Sequence, residues 1–451
     1  MKRRLAIATV LAVASAGVHH PRAQQPQTVA FTNVAVVPMD SNRVLENQTV
    51  IVTKDRITSV GPASAAKVPA GATTVDGTGK FLMPGLAEMH GHVPQPKESS
   101  QFLEDVLFLY VAAGVTTVRG MQGAPGQLEV RDRVHRGELV GPTLYLAGPG
   151  FSGGGGNAVK SVEDATARVR QQKKEGWDLL KILPGLSREV YDAIAKTAKE
   201  VDIPFAGHVP DAVGVPHALE MRQATIDHLD GYAEHLNGQT TRVDDKGIQD
   251  LVARTKAAGT YMVPTLVVWE TLRGPVTLES RQAMPGLQYL PRDYVANWTK
   301  AVENRLKSPK YDPEHARIYI DNRMRIMTAL YKGGVGILLG SDAPQQFNVP
   351  GFSIYPEMKR MGDAGMTTYD VLRSGTSSVG QYYKQKDAFG TIAAGQRADL
   401  ILVDANPLQD VANAEKRSGV MVRGRWLPQA DIQARLKEIE ARSAAGPQSA
   451  D

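Results

Sequence analysis

The chain has 451 residues, of which 42% are hydrophobic and 22% charged, so it can bury a large core. This composition excludes a disordered or fibrous protein and is typical of a globular one. The formal net charge is +5, but four of the basic residues lie in the first 23, which leaves +1 for the rest. The charge therefore gives no reason to expect nucleic acid or membrane partners. The sequence has no cysteine, which excludes disulfides, thiolate nucleophiles and cysteine-ligated zinc.

Residues 1–23 have the pattern of a bacterial secretory signal. Three basic residues precede an apolar segment at 5–13, and small residues allow cleavage after Ala16 or after Ala23. The alternative is a membrane anchor, but the apolar segment is too short to span a bilayer. We therefore predict a periplasmic or secreted protein that has no membrane anchor after cleavage.

Short β-rich segments occur near both ends of the chain, at residues 29–38, 49–61, 72–75, 398–405 and 419–426. Their alternating apolar residues and flanking turn residues predict strands. We expect the two ends of the chain to build one sheet domain.

Between these ends, apolar strands alternate with helical segments, which is the signature of βαβ units. Amphipathic segments follow most of the strands, for example at residues 161–175, 187–200 and 213–222. The eight candidate strands end near His92, Arg119, Ala147, Leu183, His208, His228, Leu266 and Asp342. Eight such units predict an α/β fold of the (β/α)8 TIM barrel type, with its active site at the carboxyl ends of the strands.

One connection is unusually long. The segment from Trp269 to Pro313 lies between the seventh and eighth strands, and its length predicts a partly helical lid or interface element. Trp269 and Tyr289 are candidates to line the lid side of an apolar pocket, or simply to pack it.

The first barrel strand ends in His90-Gly91-His92. Because side chains alternate along a strand, both imidazoles face the same way, about 6–7 Å apart, and can share one metal ion. An isolated pair of this kind is more often structural. Here other polar residues follow at later strand ends, namely Lys181, His208, His228 and Asp342.

Each of these residues alone has a structural alternative: a hydrogen-bonded core histidine, a helix-capping aspartate or a strand-end lysine. Together they fall on one rim of the predicted barrel, which favours a metal site. Lys181 lies in an apolar segment, where an unpaired ammonium group would be unfavourable and two cations would repel it. Addition of CO2 to its neutral amine would give a carbamate, an anion whose two oxygens can bridge two metals.

The order HxH, Lys, His, His, Asp resembles the binuclear amidohydrolase superfamily of metal-dependent hydrolases, and within it the imidazolonepropionase-related, Xaa-Pro dipeptidase-like branch. The resemblance covers residues 28–428 and includes MPGLAEMHGH, GVTTVRG, DLLKI, GHV, IDHLDG, VPTL, GSDA and FGTIAAGQRADLILVDANPL. It implies a barrel at 81–388, a composite β-sandwich domain built from 24–80 and 389–430, and a tail at 431–451.

The same resemblance implies the ligands of two divalent metal ions. One ion would be held by His90, His92, Asp342 and the Lys181 carbamate, and the other by the carbamate with His208 and His228. Zinc is expected from the ligand types, and manganese or cobalt is also compatible. A metal-bridging hydroxide would attack the substrate carbonyl, and Asp342 would move the proton to the leaving amine.

The sequence departs from the family at two loops. Relatives commonly carry Gly-His after strand three, where this chain has GPGFSGGGGN at 148–157, and Arg-Asp after strand two, where it has Arg119-Gly120. Specificity for a free C-terminal carboxylate therefore does not simply carry over. The glycine run is either a mobile substrate loop or a plain connection. Arg119 and Tyr232 are candidate substrate contacts, Tyr232 through a hydroxyl on the oxyanion, with structural packing as the alternative for both.

We therefore predict an exported binuclear hydrolase of a peptide-like or N-acyl amino acid amide bond, acting on a small molecule or short peptide. The alternatives within enzymes are a lactonase, a phosphoesterase, a ring deaminase and a cyclic-amide hydrolase with one metal. Outside enzymes the alternative is a non-catalytic metal-binding barrel. The sequence leaves a homo-oligomer open.

Overall fold

The computed structural model describes residues 28–96 and 100–445. The predicted signal, with both cleavage positions, lies outside these residues, as does the end of the predicted tail at 446–451. In the two described ranges, no helix is both long enough and apolar enough to cross a membrane.

The strands of the described ranges are short and are mostly buried. In chain order they are β1 (Thr28–Val36), β2 (Leu45–Thr53), β3 (Arg56–Pro62), β4 (Thr73–Asp76), β5 (Phe81–Pro84), β6 (Leu86–Gly91), β7 (Val115–Gly120), β8 (Thr143–Leu146), β9 (Leu180–Ile182), β10 (Phe205–Gly207), β11 (Thr225–Asp227), β12 (Tyr261–Val263), β13 (Leu400–Val403), β14 (Arg417–Val422) and β15 (Arg425–Pro428).

Strands from both ends of the chain form one eight-stranded sheet, in the order β15-β14-β13-β5-β1-β2-β3, with β4 beside β1. Strand β5 joins the two ends, because it pairs in parallel with β1 and antiparallel with β13. Apolar side chains of both ends share one buried cluster, in which Phe31 and Trp426 meet edge to face with ring centroids 5.0 Å apart. The expected association of the two ends is therefore present as a sheet.

Strands β6 to β12 are all parallel and form two further sheets, β6-β7-β8 and β9-β10-β11-β12. Almost every residue in them is buried, as expected for parallel strands covered on both faces. Backbone hydrogen bonds connect the sheets, since Gly148 N donates to Leu179 O over 3.0 Å and Asp178 N to Leu146 O over 2.9 Å.

The eighth predicted strand, which ends at Asp342, is not among the assigned strands of the described residues. Its segment is nevertheless hydrogen-bonded on both sides. Leu338 N donates to Met262 O over 2.9 Å, and Met89 N donates to Leu339 O over 2.8 Å. The segment thus lies between β12 and β6.

The helices lie mainly between the parallel strands. They are α1 (Ser100–Ala112), α2 (Gln127–His135), α3 (Val162–Glu175), α4 (Arg188–Glu200), α5 (Gly214–Glu220), α6 (Tyr232–His235), α7 (Asp245–Ala258), α8 (Leu266–Arg273), α9 (Leu278–Gln282), α10 (Arg292–Leu306), α11 (Pro313–Lys332), α12 (Ile354–Asp363), α13 (Thr368–Ser374), α14 (Ser377–Tyr382) and α15 (Gln429–Ala445). Short 3-10 turns occur at Gly155–Asn157, Leu287–Tyr289 and Val411–Glu415.

The predicted helix bounds at 161–175 and 187–200 agree closely with α3 and α4, because the serines that cap these helices can be recognised in the sequence. Ser161 Oγ accepts from the backbone of Asp164 and Ser187 Oγ from that of Val190. Gly176 ends α3 with φ 91°, a left-handed conformation that glycine adopts without strain.

The long connection after the seventh strand is partly helical, as predicted, but it begins earlier than expected. Strand β12 ends at Val263 rather than near Leu266, because Thr265 has φ 43° and helix α8 starts at the next residue. Trp269 is consequently a helical residue. Farther along the connection, Tyr289 packs against Phe352, with ring centroids 5.1 Å apart.

Arg397 ties the C-terminal segment to the parallel strands. Its guanidinium donates to Asp399 over 2.7 Å, to Asp387 over 2.6 Å and to Thr117 Oγ1 of β7 over 2.7 Å. Arg397 and Asp399 are almost completely buried.

We predict that Arg397→Ala lowers the free energy of unfolding by about 3–5 kcal/mol, because it leaves the Asp399 carboxylate buried without its cation. Denaturant unfolding followed by circular dichroism measures this loss. The control is Arg43→Ala, which removes an exposed ion pair with Asp40 and should change stability little. Equal effects of the two substitutions would contradict the importance assigned to Arg397.

Candidate metal centre

The structure brings all six predicted metal ligands to one cavity. The cavity has a volume of about 270 Å³ and lies at the carboxyl ends of the parallel strands. Its walls include the predicted ligands His90, His92, Lys181, His208, His228 and Asp342. Residues separated by 250 positions therefore meet because parallel strands present their carboxyl ends on the same side.

Asp342 is at the centre of the histidines. Its Oδ1 lies 2.7 Å from His92 Nε2 and 3.5 Å from His90 Nε2, and its Oδ2 lies 3.9 Å from His228 Nδ1. His90, His228 and Asp342 each offer a ligand atom within 4.8 Å of the others, which is close enough for one ion to join them.

The backbone at two of these residues is in an unfavourable conformation. His228 has φ 63° and Asp342 has φ 67°, a left-handed region that side-chain-bearing residues rarely adopt. Such conformations are common at functional sites, where the surrounding structure stabilises them and they point the side chain into the site.

Lys181 lies against His90, with 3.1 Å between Lys181 Nζ and His90 Nε2. Burial lowers the pKa of the Lys181 ammonium, although the carboxylates of Asp227 and Asp342 oppose this shift. The neutral amine is thereby favoured relative to an exposed lysine. A neutral amine is the form that can add CO2, so the environment fits the carbamate expected at this position.

In three of the histidines, one ring nitrogen lies close to a residue outside the predicted ligand set. His90 Nδ1 lies 2.8 Å from Asp227 Oδ2, and His208 Nδ1 lies 2.5 Å from Asp230 Oδ2. His228 Nδ1 lies 2.7 Å from Thr265 Oγ1.

At His208 and His228 this arrangement fits metal binding, because an acceptor on Nδ1 fixes the tautomer and leaves the Nε2 lone pair available. The close contact between His90 Nδ1 and Asp227 lacks hydrogen-bond geometry within the described ranges. Burial also holds the pKa values of His90 and His228 well below the ordinary histidine value. Both rings are therefore neutral at neutral pH, which is the form that binds a metal ion.

Arg119 supports this outer layer. Its Nη2 donates to both carboxylate oxygens of Asp227, over 3.0 and 3.2 Å, and its Nη1 donates to Thr225 Oγ1 over 3.0 Å. Its Nε donates to the backbone oxygen of Met89 over 2.5 Å. Arg119 is fully buried and is not among the described residues that line the cavity.

Tyr232 likewise lies away from the cavity. Its hydroxyl is 2.6 Å from Thr255 Oγ1 and 3.6 Å from Met262 Sδ, and its side chain is buried in the core. The two predicted substrate contacts thus have structural partners, and their contacts favour the structural alternative for both. The reason is that Arg119 points beneath His90 and Tyr232 points towards α7.

Sequence reasoning missed the outer carboxylates. Asp227 and Asp230 flank His228 in IDHLDG, and acidic residues so close to a candidate ligand were a usable signal. Glu88 was also missed: it accepts from the backbone of His90 over 3.0 Å and from that of Ser341 over 2.8 Å. Burial raises the pKa of Glu88 to about 8. This residue joins the first strand to the segment that carries Asp342.

The remaining cavity wall is apolar or carries side-chain amides. It contains Met121, Gln122, Gly150, Asn157, Leu183, Trp269, Leu272 and Gln345. Trp269 lines the cavity, as one alternative for it predicted. The glycine-rich loop reaches the cavity through Gly150 and Asn157, and Arg168 holds it by donating to their backbone oxygens over 2.9 and 3.2 Å.

Comparison with known proteins identifies the family. Residues 81–427 match the Amidohydrolase family, so the chain belongs to it, as its sequence motifs predicted. The family match confirms the predicted enzyme class, a hydrolase that acts on carbon–nitrogen bonds.

An adenine deaminase from Rubrobacter xylanophilus is 29% identical over 109 residues, which are 23% of this chain and 18% of the deaminase. This chain thus matches only a small part of that relative's length.

Several solved structures share the fold over most of the chain. Bottromycin amidohydrolase superposes with a TM-score of 0.74 and 24% identity, covering 93% of this chain and 91% of its own. A molinate hydrolase has a TM-score of 0.70 and 18% identity, covering 95% and 99%. A Xaa-Pro dipeptidase with bound methionine has a TM-score of 0.67 and 20% identity, covering 89% and 100%.

We predict that Asp230→Asn weakens metal binding about tenfold or more, because it replaces the charged carboxylate that orients His208 with a neutral amide. Competition with a chelator, followed by elemental analysis, measures the affinity. Asp211→Asn is the matched control, since Asp211 is exposed and lies only three residues beyond His208. Unchanged affinity in Asp230→Asn would show that the contact does not prepare His208 for a metal.

Proposed function

We propose that this protein is an exported, binuclear metal-dependent amidohydrolase that hydrolyses a peptide-like or N-acyl amino acid amide bond. The observation that carries the proposal is the convergence of four histidines, one buried lysine and one aspartate on a single cavity. The similarity in fold to an amidohydrolase, a dipeptidase and a prolidase complexed with N-methylphosphonate-L-proline supports an amide substrate.

In this proposal the parallel strands close into a (β/α)8 barrel at residues 81–388. The hydrogen bonds from Gly148 to Leu179 and from Met89 to Leu339 support closure, because they join the sheets at both open edges. The eight-stranded sheet would form the composite β-sandwich domain of residues 24–80 and 389–430, with 431–451 as the tail.

His90, His92, Asp342 and a Lys181 carbamate would hold one metal, and the carbamate with His208 and His228 the other. Zinc fits these nitrogen and oxygen donors, and manganese or cobalt is also compatible. Bound there, the metals would supply Lewis acidity that lowers the pKa of water and polarises the scissile carbonyl.

Asp342 is suited to move the proton. Its Oδ1 contacts His92 Nε2 at 2.7 Å, whereas its Oδ2 lies 3.9 Å from His228 Nδ1, beyond hydrogen-bond distance. Oδ2 would accept the proton from the attacking water and then release it to the nitrogen of the leaving amine as the carbon–nitrogen bond breaks. The carboxylate is thus regenerated in each cycle.

Hydrolytic deamination of a ring is the second candidate. The short match to an adenine deaminase favours it, but that match spans only 18% of the deaminase. Lactone or phosphoester hydrolysis and non-catalytic metal binding remain alternatives on the same site. Assays of amide, lactone and phosphoester hydrolysis with metal restored distinguish these alternatives.

Export is the other part of the proposal. Residues 1–23 have the charged, apolar and small-residue regions of a secretory signal, so the mature protein would be periplasmic or secreted. Its substrate would be a small molecule or short peptide.

Asp342→Asn and Lys181→Ala should each reduce kcat/KM by about 100-fold or more, because one removes proton transfer and the other the shared ligand. Hydrolysis of Xaa-Pro dipeptides, N-acyl amino acids and aryl amides provides the assay, and circular dichroism checks that the fold persists. Lys196→Ala is the control, since Lys196 is an exposed lysine of α4. Near-normal rates in either site variant would refute the mechanism.

A separate prediction concerns bicarbonate. After chelation, zinc with bicarbonate should restore about two metals per chain, whereas zinc in CO2-depleted buffer should restore fewer, because the uncarbamylated Lys181 offers no bridging oxygen. Elemental analysis of desalted protein measures the ratio. Lys181→Ala should not respond to bicarbonate, and equal loading of the wild type under both conditions would argue against the carbamate.

A further inference from the structure

The cavity wall beyond the metal ligands is uncharged. Its apolar part comprises Met121, Leu183, Trp269 and Leu272, and its polar part comprises the side-chain amides of Gln122, Asn157 and Gln345. Among the described residues, the lining has no arginine, and its one lysine is Lys181. Among the described lining residues, no cationic side chain is therefore left over for the substrate once Lys181 serves the metals.

The nearby arginines are engaged elsewhere. Arg119 is paired with Asp227, and Arg168 holds the backbone of the glycine-rich loop. Arg323 donates to the backbone oxygen of His228 over 2.5 Å, and its guanidinium lies 4.7 Å from the centre of the Trp269 ring. Arg323 is only 2% exposed, and one of its nitrogens, Nη1, has no hydrogen-bond partner in the described part of the chain.

Trp269 forms one wall of the cavity, and neighbouring residues fix its position. The Glu357 carboxylate accepts from the backbone nitrogens of Leu266 and Val267, over 2.7 and 2.9 Å, at the start of the helix that carries Trp269. Arg323 stacks on the indole ring itself. A fixed aromatic surface of this kind packs well against an apolar group and costs little ordering on binding.

The side-chain amides provide the polar contacts. Those of Gln122 and Gln345 make no hydrogen bond to the described part of the chain, so they are free to bind a ligand. An amide both donates and accepts, which matches neutral carbonyl and N–H groups. A carboxylate beside these amides would lose hydration without gaining a cationic side chain as its partner.

We propose that the group following the scissile amide is uncharged and apolar, packed against Trp269 and bound at its polar atoms by Gln122 and Gln345. The preferred substrates are therefore neutral amides, such as C-terminally amidated peptides or aryl amides, rather than dipeptides with a free carboxylate. This inference rests on the proposed function and specifies its substrate class.

The test compares substrates in pairs that differ only in one group. Each scaffold of the amide panel is supplied as the free acid and as its primary amide, for example N-acetyl-leucyl-proline and N-acetyl-leucyl-prolinamide. We expect kcat/KM for the neutral member to exceed that for the acid by about tenfold or more. Calorimetric binding to Asp342→Asn, in which turnover is strongly slowed, should likewise give a higher affinity for the neutral member of each pair than for the acid.

Two variants of one position sharpen the comparison. Gln345→Arg supplies the missing cation and should shift the ratio towards the acid. Gln345→Met, which is similar in size but lacks the amide, should slow the neutral substrates without helping the acids. If only Gln345→Arg gains activity on acids, the charge of this wall determines the preference.

The results distinguish a wrong substrate class from a wrong amidohydrolase function. Wild-type preference for the acids, in rate and in binding, would overturn the inference while the amidohydrolase function stands, and would point to Arg323 as the cation that receives them. No turnover of any pair with metal restored would instead contradict the proposed function, and the inference with it.

Discussion

The buried ion pair between Arg119 and Asp227 is the interaction on which the rest of the site depends. Two charges removed from water are stable only when their remaining hydrogen-bonding capacity is satisfied. Here Thr225 and the Met89 backbone complete the pair, and the second oxygen of Asp227 lies against His90 Nδ1. The pair thereby places a carboxylate oxygen 2.8 Å from His90 Nδ1, and it links strands β6, β7 and β11 beneath the cavity.

The same constraint, burial, determines the protonation of the inner residues. Removing His90, His228 and Lys181 from water favours their neutral forms, which are the forms needed to bind a metal or to add CO2. Glu88 contributes differently, because it joins strand β6 to the segment that carries Asp342. Packing and electrostatics therefore act in the same direction at this site.

Much of this could be predicted from the sequence, because its strongest signals are positional. Parallel strands separated by helices bring their carboxyl ends together, so His90 and Asp342 could be assigned to one rim from the sequence alone. Asp227 and Asp230 were within reach as well, being adjacent to His228. Prediction from the sequence fails where a side chain can point either into the cavity or into the core. Arg119 lies at a predicted strand end and Tyr232 four residues beyond another, yet pairing with Asp227 and burial beside Thr255 take them away from the cavity.

A crystal structure of the zinc-loaded protein, with anomalous diffraction data collected at the zinc edge, would count the metal ions directly. We expect two anomalous peaks in the cavity, one beside His90, His92 and Asp342 and one beside His208 and His228. We also expect electron density for a carbamate that extends from Lys181 Nζ between them. A single peak, or two peaks with an unmodified lysine, would contradict the binuclear, carbamate-bridged centre.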